Sequence, residues 1–270
     1  MAKKKAVAKK KTNSLKLVSN EILLEDQGSG IEGLETQDLM IPRIAILQSG
    51  SPQLEKRNAK YVKGGEAGSI FNTVLQSTVD GEQGITIVPI KYRRAYIEWK
   101  PRSAGGGFVH DHGGDGTVLE ACDLDKTNFR HMTKDGNEIV TTAEYFIFIV
   151  DKKGIYDPAV LSMTGSQLKK SRRWNSMMNQ LRLPNPKNGG SYFTPAMFYS
   201  AFQFKTAPEE NEKGTWFGWD IERLYGENGG ILENLSNGEE IYMAARSFKE
   251  RVVQGNVQVA PETAVDEEPF

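Results

Sequence analysis

Between Lys91 and Arg102 the chain runs Lys91-Tyr92-Arg93-Arg94-Ala95-Tyr96-Ile97-Glu98-Trp99-Lys100-Pro101-Arg102, aromatic rings interleaved with cations. In an extended strand successive side chains point to opposite faces, so Tyr92, Arg94 and Tyr96 share one face, with Lys100 further along. Ile85, Ile87 and Ile97 then fall on the other face and point into a core. A face of ring, cation and ring carries the chemistry that a single-stranded nucleic acid needs. Bases stack on rings for about 1–3 kcal/mol each, and Arg or Lys meets the phosphates. Arg93, Trp99 and Arg102 extend the same set. An ordinary exposed sheet face accounts for these residues too, because strands favour Tyr whatever they bind.

A second group is Lys169, Lys170, Arg172, Arg173 and Arg182, five cations with no intervening acid. Leu168, Trp174, Met177, Met178 and Leu181 recur among them at helical spacing, which predicts a helix over 166–181 with Thr164 or Ser166 as N-cap. With the apolar side docked, the cations stand in solvent and set up a positive field suited to a phosphate backbone. A plain solvated face is the competing account, although such a face usually mixes signs. A third group is Asp266-Glu267-Glu268-Pro269-Phe270. An acidic tether does not rest on anionic nucleic acid, whereas an aromatic tip and a carboxylate fit an apolar, Arg-lined pocket on a protein partner. Acidic ends also serve simply as solubilising tails.

Other chemistry finds little support. His110, His112, Cys122 and His131 offer zinc-ligand types, but their spacing matches none of the usual paired patterns and the surrounding glycines would hold ligands poorly. Gly105-Gly106-Gly107 lacks the following Lys-Ser/Thr of a phosphate loop. Asp123 and Asp125 read as turn residues and lack the clustered acids of a two-metal nuclease. No catalytic, metal or cofactor site is expected, and the chain reads as a non-enzymatic protein.

The acidic run leading to Pro269-Phe270 resembles the tail tip of bacterial single-stranded DNA-binding proteins. The whole plan, a β-rich domain with basic and aromatic surfaces and an acidic, Phe-terminated tail, is similar to the phage-type members. Thr164-Gly165-Ser166-Gln167-Leu168-Lys169-Lys170-Ser171-Arg172-Arg173-Trp174-Asn175 and Tyr96-Ile97-Glu98-Trp99 also resemble phage replication-region proteins. The resemblance implies an OB-like barrel, non-sequence-specific protection of single-stranded DNA in replication, recombination or repair, and recruitment of replication or recombination proteins through Asp266–Phe270. The alternatives are an interaction or virion-associated protein that binds no DNA, and a mediator that anneals strands.

The elements that must position these groups follow from the rest of the chain. Of its 270 residues 38% are hydrophobic and 26% charged, with a formal net charge of −1, as expected for a globular domain with polar ends. The near-neutral total hides segregation: Lys3, Lys4, Lys5, Lys9, Lys10 and Lys11 crowd one end, and Glu262, Asp266, Glu267 and Glu268 the other. Residues 1–38 read as a basic, flexible arm, 39–254 as the DNA-binding domain and 255–270 as a disordered acidic tail. A single cysteine fits a reducing compartment, and no apolar run is long enough for a membrane span, so a cytoplasmic location is expected, in a bacterium or, if the protein is viral, in the cytoplasm of a bacterial host. Strands are expected over Ile85–Trp99 (bent or at an edge, because of Pro89), Glu144–Val150, Met197–Thr206 and Thr215–Ile221. A second helix is expected over Ile241–Val253, and a long glycine-rich loop over 103–116. The class is α+β, β-rich: an elaborated OB-like barrel with added helices and disordered termini.

Overall fold

A computed structural model describes residues 20–34, 38–126, 130–212, 214–224 and 237–260, with the backbone alone for Asn20 and Arg102. Residues 1–35 form one unit and 36–270 another. In the first, the described part is a short helix α1 (Asn20–Glu25) followed by turns, and Ile22, Leu23, Leu24, Ile31 and Leu34 are all exposed.

The second unit is β-rich. In chain order it contains β1 (Met40–Ile41), β2 (Arg43–Ile46), β3 (Ile70–Asn72), β4 (Ser77–Val79), β5 (Ile85–Trp99), β6 (Phe108–Asp111), β7 (Asp123–Asp125), β8 (Arg130–Met132), β9 (Glu138–Val150), β10 (Tyr156–Met163), α2 (Gln167–Asn179), β11 (Leu183–Pro184), β12 (Tyr192–Phe193), β13 (Phe202–Asn211), β14 (Gly214–Arg223), α3 (Gly238–Val253) and β15 (Gln258–Val259). The main sheet runs β14-β13-β5-β9-β10-β2-β3-β4, with β6 beside β5 and β8 and β7 beside β9. All its described pairings are antiparallel except β10 with β2.

The sheet curls into a half barrel, the elaborated OB-like barrel expected from the sequence. Its two ends are tied by isolated hydrogen bonds, most of them from side chains, instead of a strand ladder. The Gln48 amide donates to the Phe217 carbonyl at 2.9 Å and accepts from the Phe217 N–H at 2.8 Å, standing in for a neighbouring peptide on the open edge of β14. Thr206 on β13 donates its hydroxyl to the Gly68 carbonyl at 2.6 Å and its N–H to the Gly81 carbonyl at 3.0 Å. The approach is possible because Gly68 (φ +91°) and Gly81 carry no side chain: a Cβ at Gly68 would lie 2.7 Å from the Phe217 ring, and one at Gly81 would lie 1.9 Å from Thr206 Oγ1.

Each face of the sheet has its own apolar core. On one, Ile44, Ile87, Tyr145, Ile147, Leu161, Phe202, Phe204 and Trp219 close around Trp174 of α2, which is fully buried. On the other, Val88, Ile90, Phe146, Phe148 and Val160 meet α3 through Ile241, Ala245 and Phe248, which sit at i, i+4 and i+7. Phe248 stacks on Phe148 with centroids 5.4 Å apart.

Several expectations need correcting. Ile85–Trp99 is neither an edge strand nor simply bent: it lies between β9 on one side and β13 and β6 on the other, and accommodates Pro89 with a β-bulge between Pro89 and Lys91. Met197–Tyr199 is a 3-10 turn, so the next strand starts only at Phe202. Asp123 and Asp125 lie on a short strand, not in a turn. The 103–116 segment is not one long loop, since Phe108–Asp111 pairs with β5. Ser166 has helical dihedrals and makes no side-chain cap. Strand β10 went unread because Pro158 interrupts it. Residues 255–260, taken as the start of the tail, carry β15, which pairs in parallel with β1, and Arg43 Nε donates to the Ala260 carbonyl at 3.0 Å. No helix among the described residues is long and apolar enough to cross a membrane.

Candidate nucleic-acid interface

The bulge in β5 decides which side chains look where. Pro89 is opposite Ile147 and Lys91 is opposite Phe146, residues that point to different faces, so the alternation shifts by one residue at Ile90. Tyr92, Arg94 and Tyr96 do share a face, and it is the one that carries Ile85, Ile87 and α2. The expectation that these two isoleucines point the other way is therefore corrected, while Ile97 does point away.

On this face the rings are largely engaged in packing. Tyr92 is half-buried, its centroid 5.1 Å from that of Tyr145, which in turn lies 4.3 Å from that of Trp174, so an aromatic ladder runs from the strand into the core. The Tyr145 hydroxyl reaches Ser171 Oγ at 2.7 Å and donates to Asn175 Oδ1 at 3.0 Å, and burial pushes its pKa well above the usual phenol value. Tyr96 is buried, and a Cβ at Gly116 would lie 3.2 Å from its hydroxyl. Arg94 between them is exposed. Side-chain hydrogen bonding to Tyr92 and then Tyr96 raises its pKa. The open group in this row is thus the cation.

The opposite face treats Arg93 differently. Register aligns Arg93, Glu144 and Ser162 across three strands, with Arg43 beyond them. Glu144 is buried and bonds Arg93 and Arg43 (2.9 Å to Arg43 Nη1), and Arg93 also reaches Asp111 at 2.8 Å. Burial works against the Arg93 charge, but Glu144 and Asp111 outweigh it and raise its pKa. Arg93 is therefore part of an internal ion network. Trp99 is half-buried with its ring edge-on to Phe108 at 6.0 Å, and Lys100 is exposed. The Arg102 side chain and Asp266, Glu267, Glu268, Pro269 and Phe270 lie outside the described residues.

Helix α2 sorts its cations in the same way. Its core side is Ser171 and Trp174, with Leu168, Met177 and Met178 packed at the margin. Lys169, Arg172 and Arg173 are exposed, with no carboxylate bonded to them among the described residues. Lys170 turns inward to Glu209 and the Trp219 carbonyl. The same Glu209 accepts from Trp216 Nε1 at 2.9 Å, and Gln167 Oε1 accepts from the Trp219 N–H at 3.0 Å. The region's basic character extends beyond the helix: from Pro158 to Pro208 there is no Asp or Glu but there are seven Lys and Arg. Counting acids over a long window, instead of cations over a short one, was the signal that marked its full extent.

His110 and His112 sit with ring centroids 4.7 Å apart, and His112 Nε2 is 2.8 Å from Glu98 Oε2, whose other oxygen accepts from Asn137 at 2.7 Å. Burial pushes the Glu98 pKa up, but the hydrogen bonds from Asn137 and His112 prevail and lower it. Cys122 donates its thiol to the Val118 carbonyl at 3.3 Å, and burial raises its pKa. Among the described residues no group of three or more His, Cys, Asp or Glu is placed to hold a metal ion.

No curated protein and no solved structure matches the chain. A family model described as Pam3 phage gp34-like protein matches residues 10–258. That span includes every described strand but the last residue of β15, α2 and the whole acid-free segment, and the chain therefore belongs to the Pam3 phage gp34-like family and is a phage protein.

Proposed function

We propose that the protein binds single-stranded DNA without sequence preference during phage DNA replication, recombination or repair, and that Asp266–Phe270 recruits partner proteins to it. The observation that carries this reading is the acid-free, seven-cation segment from 158 to 208, whose Lys169, Arg172 and Arg173 stand exposed on α2. Arg94 presents an exposed guanidinium from the face of the sheet that α2 covers, and Lys100 a further exposed cation at the end of β5. Cations in this arrangement bind a phosphate backbone chiefly by releasing its counterions. Tyr92, Tyr96 and Trp99 hold the strand beneath them; Tyr96 is buried, and Tyr92 and Trp99 contribute to stacking only as far as their half-buried rings allow.

The test is anisotropy of labelled oligo(dT) over a salt series. Binding should weaken linearly in log K against log salt, and the double variant Lys169→Ala, Arg173→Ala should lower the slope by about 0.7 for each phosphate that is no longer neutralised. Absence of oligo(dT) binding at low salt would overturn the proposal. Trp174 is fully buried and is a poor reporter of binding, so an intrinsic-fluorescence version should follow Trp99. A second reading, an interaction protein that binds no DNA, is favoured by the exposed Ile22, Leu23, Leu24, Ile31 and Leu34 in the first unit. It predicts partner capture that disappears on deleting residues 20–34, with no oligonucleotide binding in any variant.

A further inference from the structure

Directly after α2 the chain forms a small hairpin to which the cation surface assigns no task. Leu183 pairs with Phe193 and Pro184 with Tyr192. The connection is ordered by its own hydrogen bonds: Asn185 N–H to the Ser191 carbonyl at 2.9 Å, Lys187 N–H to Asn185 Oδ1 at 2.9 Å, and the Ser191 hydroxyl to the Asn188 carbonyl at 2.9 Å. Gly190, at φ +87°, makes the return turn. The base is fixed to the helix, because Arg182 donates to Thr194 Oγ1 at 2.6 Å and to the Asn179 carbonyl in the last turn of α2. The tip projects: a Cβ built on Gly189 or Gly190 would meet no atom within 4 Å.

This anchored projection carries two aromatic rings in solvent. Tyr192 is 68% exposed and Phe193 42% exposed. Adjacent strand residues point to opposite sides, so each side of the hairpin presents one ring. No aromatic ring among the described residues packs on either of them. Single exposed apolar residues are common, but two rings on one ordered hairpin, with the exposed Pro184 paired to Tyr192, form a surface that awaits a partner. Charge identifies the partner. Lys187 stands at the tip, Arg182 at the base and Arg172 and Arg173 on the helix before it, all within the acid-free segment. Flat rings flanked along the chain by cations complement a ligand that alternates π-faces with phosphates.

We propose that the β11–β12 hairpin is a base-stacking finger: Tyr192 and Phe193 each receive an unpaired base of a single strand whose phosphates run past Lys187, Arg182 and the exposed cations of α2. The inference rests on the single-strand reading and gives it the stacking surface that the packed rings of β5 do not provide. The test uses the full chain with oligo(dT) and an abasic deoxyribose-phosphate oligomer of equal length. Wild type should prefer oligo(dT), and Tyr192→Ala with Phe193→Ala should weaken oligo(dT) binding by about 5- to 150-fold for each base that no longer stacks. The same variant should leave abasic binding and the salt slope unchanged, while Lys187→Ala lowers the slope. Both rings are at the surface, so the melting temperature checks that the fold persists. If wild type binds oligo(dT) and the ring variant binds it equally well, the finger is refuted while the single-strand reading stands. Equal losses on both oligomers would also refute stacking. If the ring variant alters only self-association or protein binding, the hairpin serves another chain and the inference falls. If wild type binds neither oligomer, the single-strand reading itself fails.

Discussion

Glu144 shows how strongly one residue can constrain this sheet. It is 2% exposed and bonded to two arginines, one from β2 and one from β5. Removing its carboxylate leaves the largely buried Arg43 without an ion partner, while Arg93 keeps Asp111, so Glu144→Ala should lower unfolding free energy by about 3 kcal/mol in urea titration, the low end for a broken buried pair. A loss below about 1 kcal/mol would mean that the network is loose in solution. Glu98 supplies a pH test. Its pKa is lowered in the folded protein, so the stabilisation it contributes is present above the usual glutamate value of about 4.3 and is lost as pH falls through the lowered value. Glu98→Gln should therefore melt below wild type at pH 7, and the gap should narrow as pH drops below about 4. A gap that stays constant across that range would remove Glu98 as the cause. Partners such as these could not be read from local sequence: Arg93 meets a carboxylate 51 positions away and Lys170 one 39 positions away. The cations that did turn out to be exposed, Arg94, Lys100, Lys169, Arg172 and Arg173, are those that bond no such distant acid among the described residues.

Among the elements, α2 depends on one side chain. Trp174 is wholly buried among Tyr145, Phe202 and Phe204, with ring centroids at 4.3, 5.6 and 4.7 Å. Trp174→Ala should cost about 3–5 kcal/mol and lower the melting temperature, because the neighbouring strands cannot collapse into the space. A shift within about 0.5 kcal/mol would show that the helix is docked by its ends instead. Helices α2 and α3 were legible in the sequence because an amphipathic period survives any detail of tertiary packing, as Leu168, Trp174 and Met178 or Ile241, Ala245 and Phe248 show, whereas the six-residue α1, in the stretch read as a flexible arm, is too short to carry one. Strands were less legible. The length of β5 was clear from its β-branched and aromatic residues, but the bulge at Ile90 reverses the alternation, and nothing local marks a bulge except Pro89. The first half of β9 was hidden by Glu138, Thr141 and Thr142, residues that pair well yet carry no apolar signal. The hairpin rings at Tyr192 and Phe193 were overlooked because a two-residue strand is too short to have a period.

At the level of the whole molecule, charge is divided along the chain. Residues 158–208 are free of acid, whereas Glu262, Asp266, Glu267 and Glu268 are acidic. A tethered anion competes with DNA at high effective concentration. Deleting residues 261–270 should therefore tighten oligo(dT) binding modestly, most visibly at low salt where screening is weakest. Deleting Phe270 alone should leave DNA affinity unchanged and abolish partner recruitment in pull-downs from infected cells. Recovery of the same partners without Phe270 would show that the segment only solubilises.

The side-chain seal on β14 has a mechanical corollary. Phe217 is capped by Gln48 from the strand system at the far end of the sheet, but Trp219 is capped on its N–H by Gln167 and on its carbonyl by Lys170, both from the first turn of α2. The helix that carries the exposed cations is thus also the cover over half of that edge. A displacement of α2 would withdraw Gln167 and Lys170 together and bare a ladder of backbone donors and acceptors to any other extended chain nearby. A substitution that loosens the helix should therefore be seen first as self-association by strand addition in sedimentation, before any loss of secondary structure.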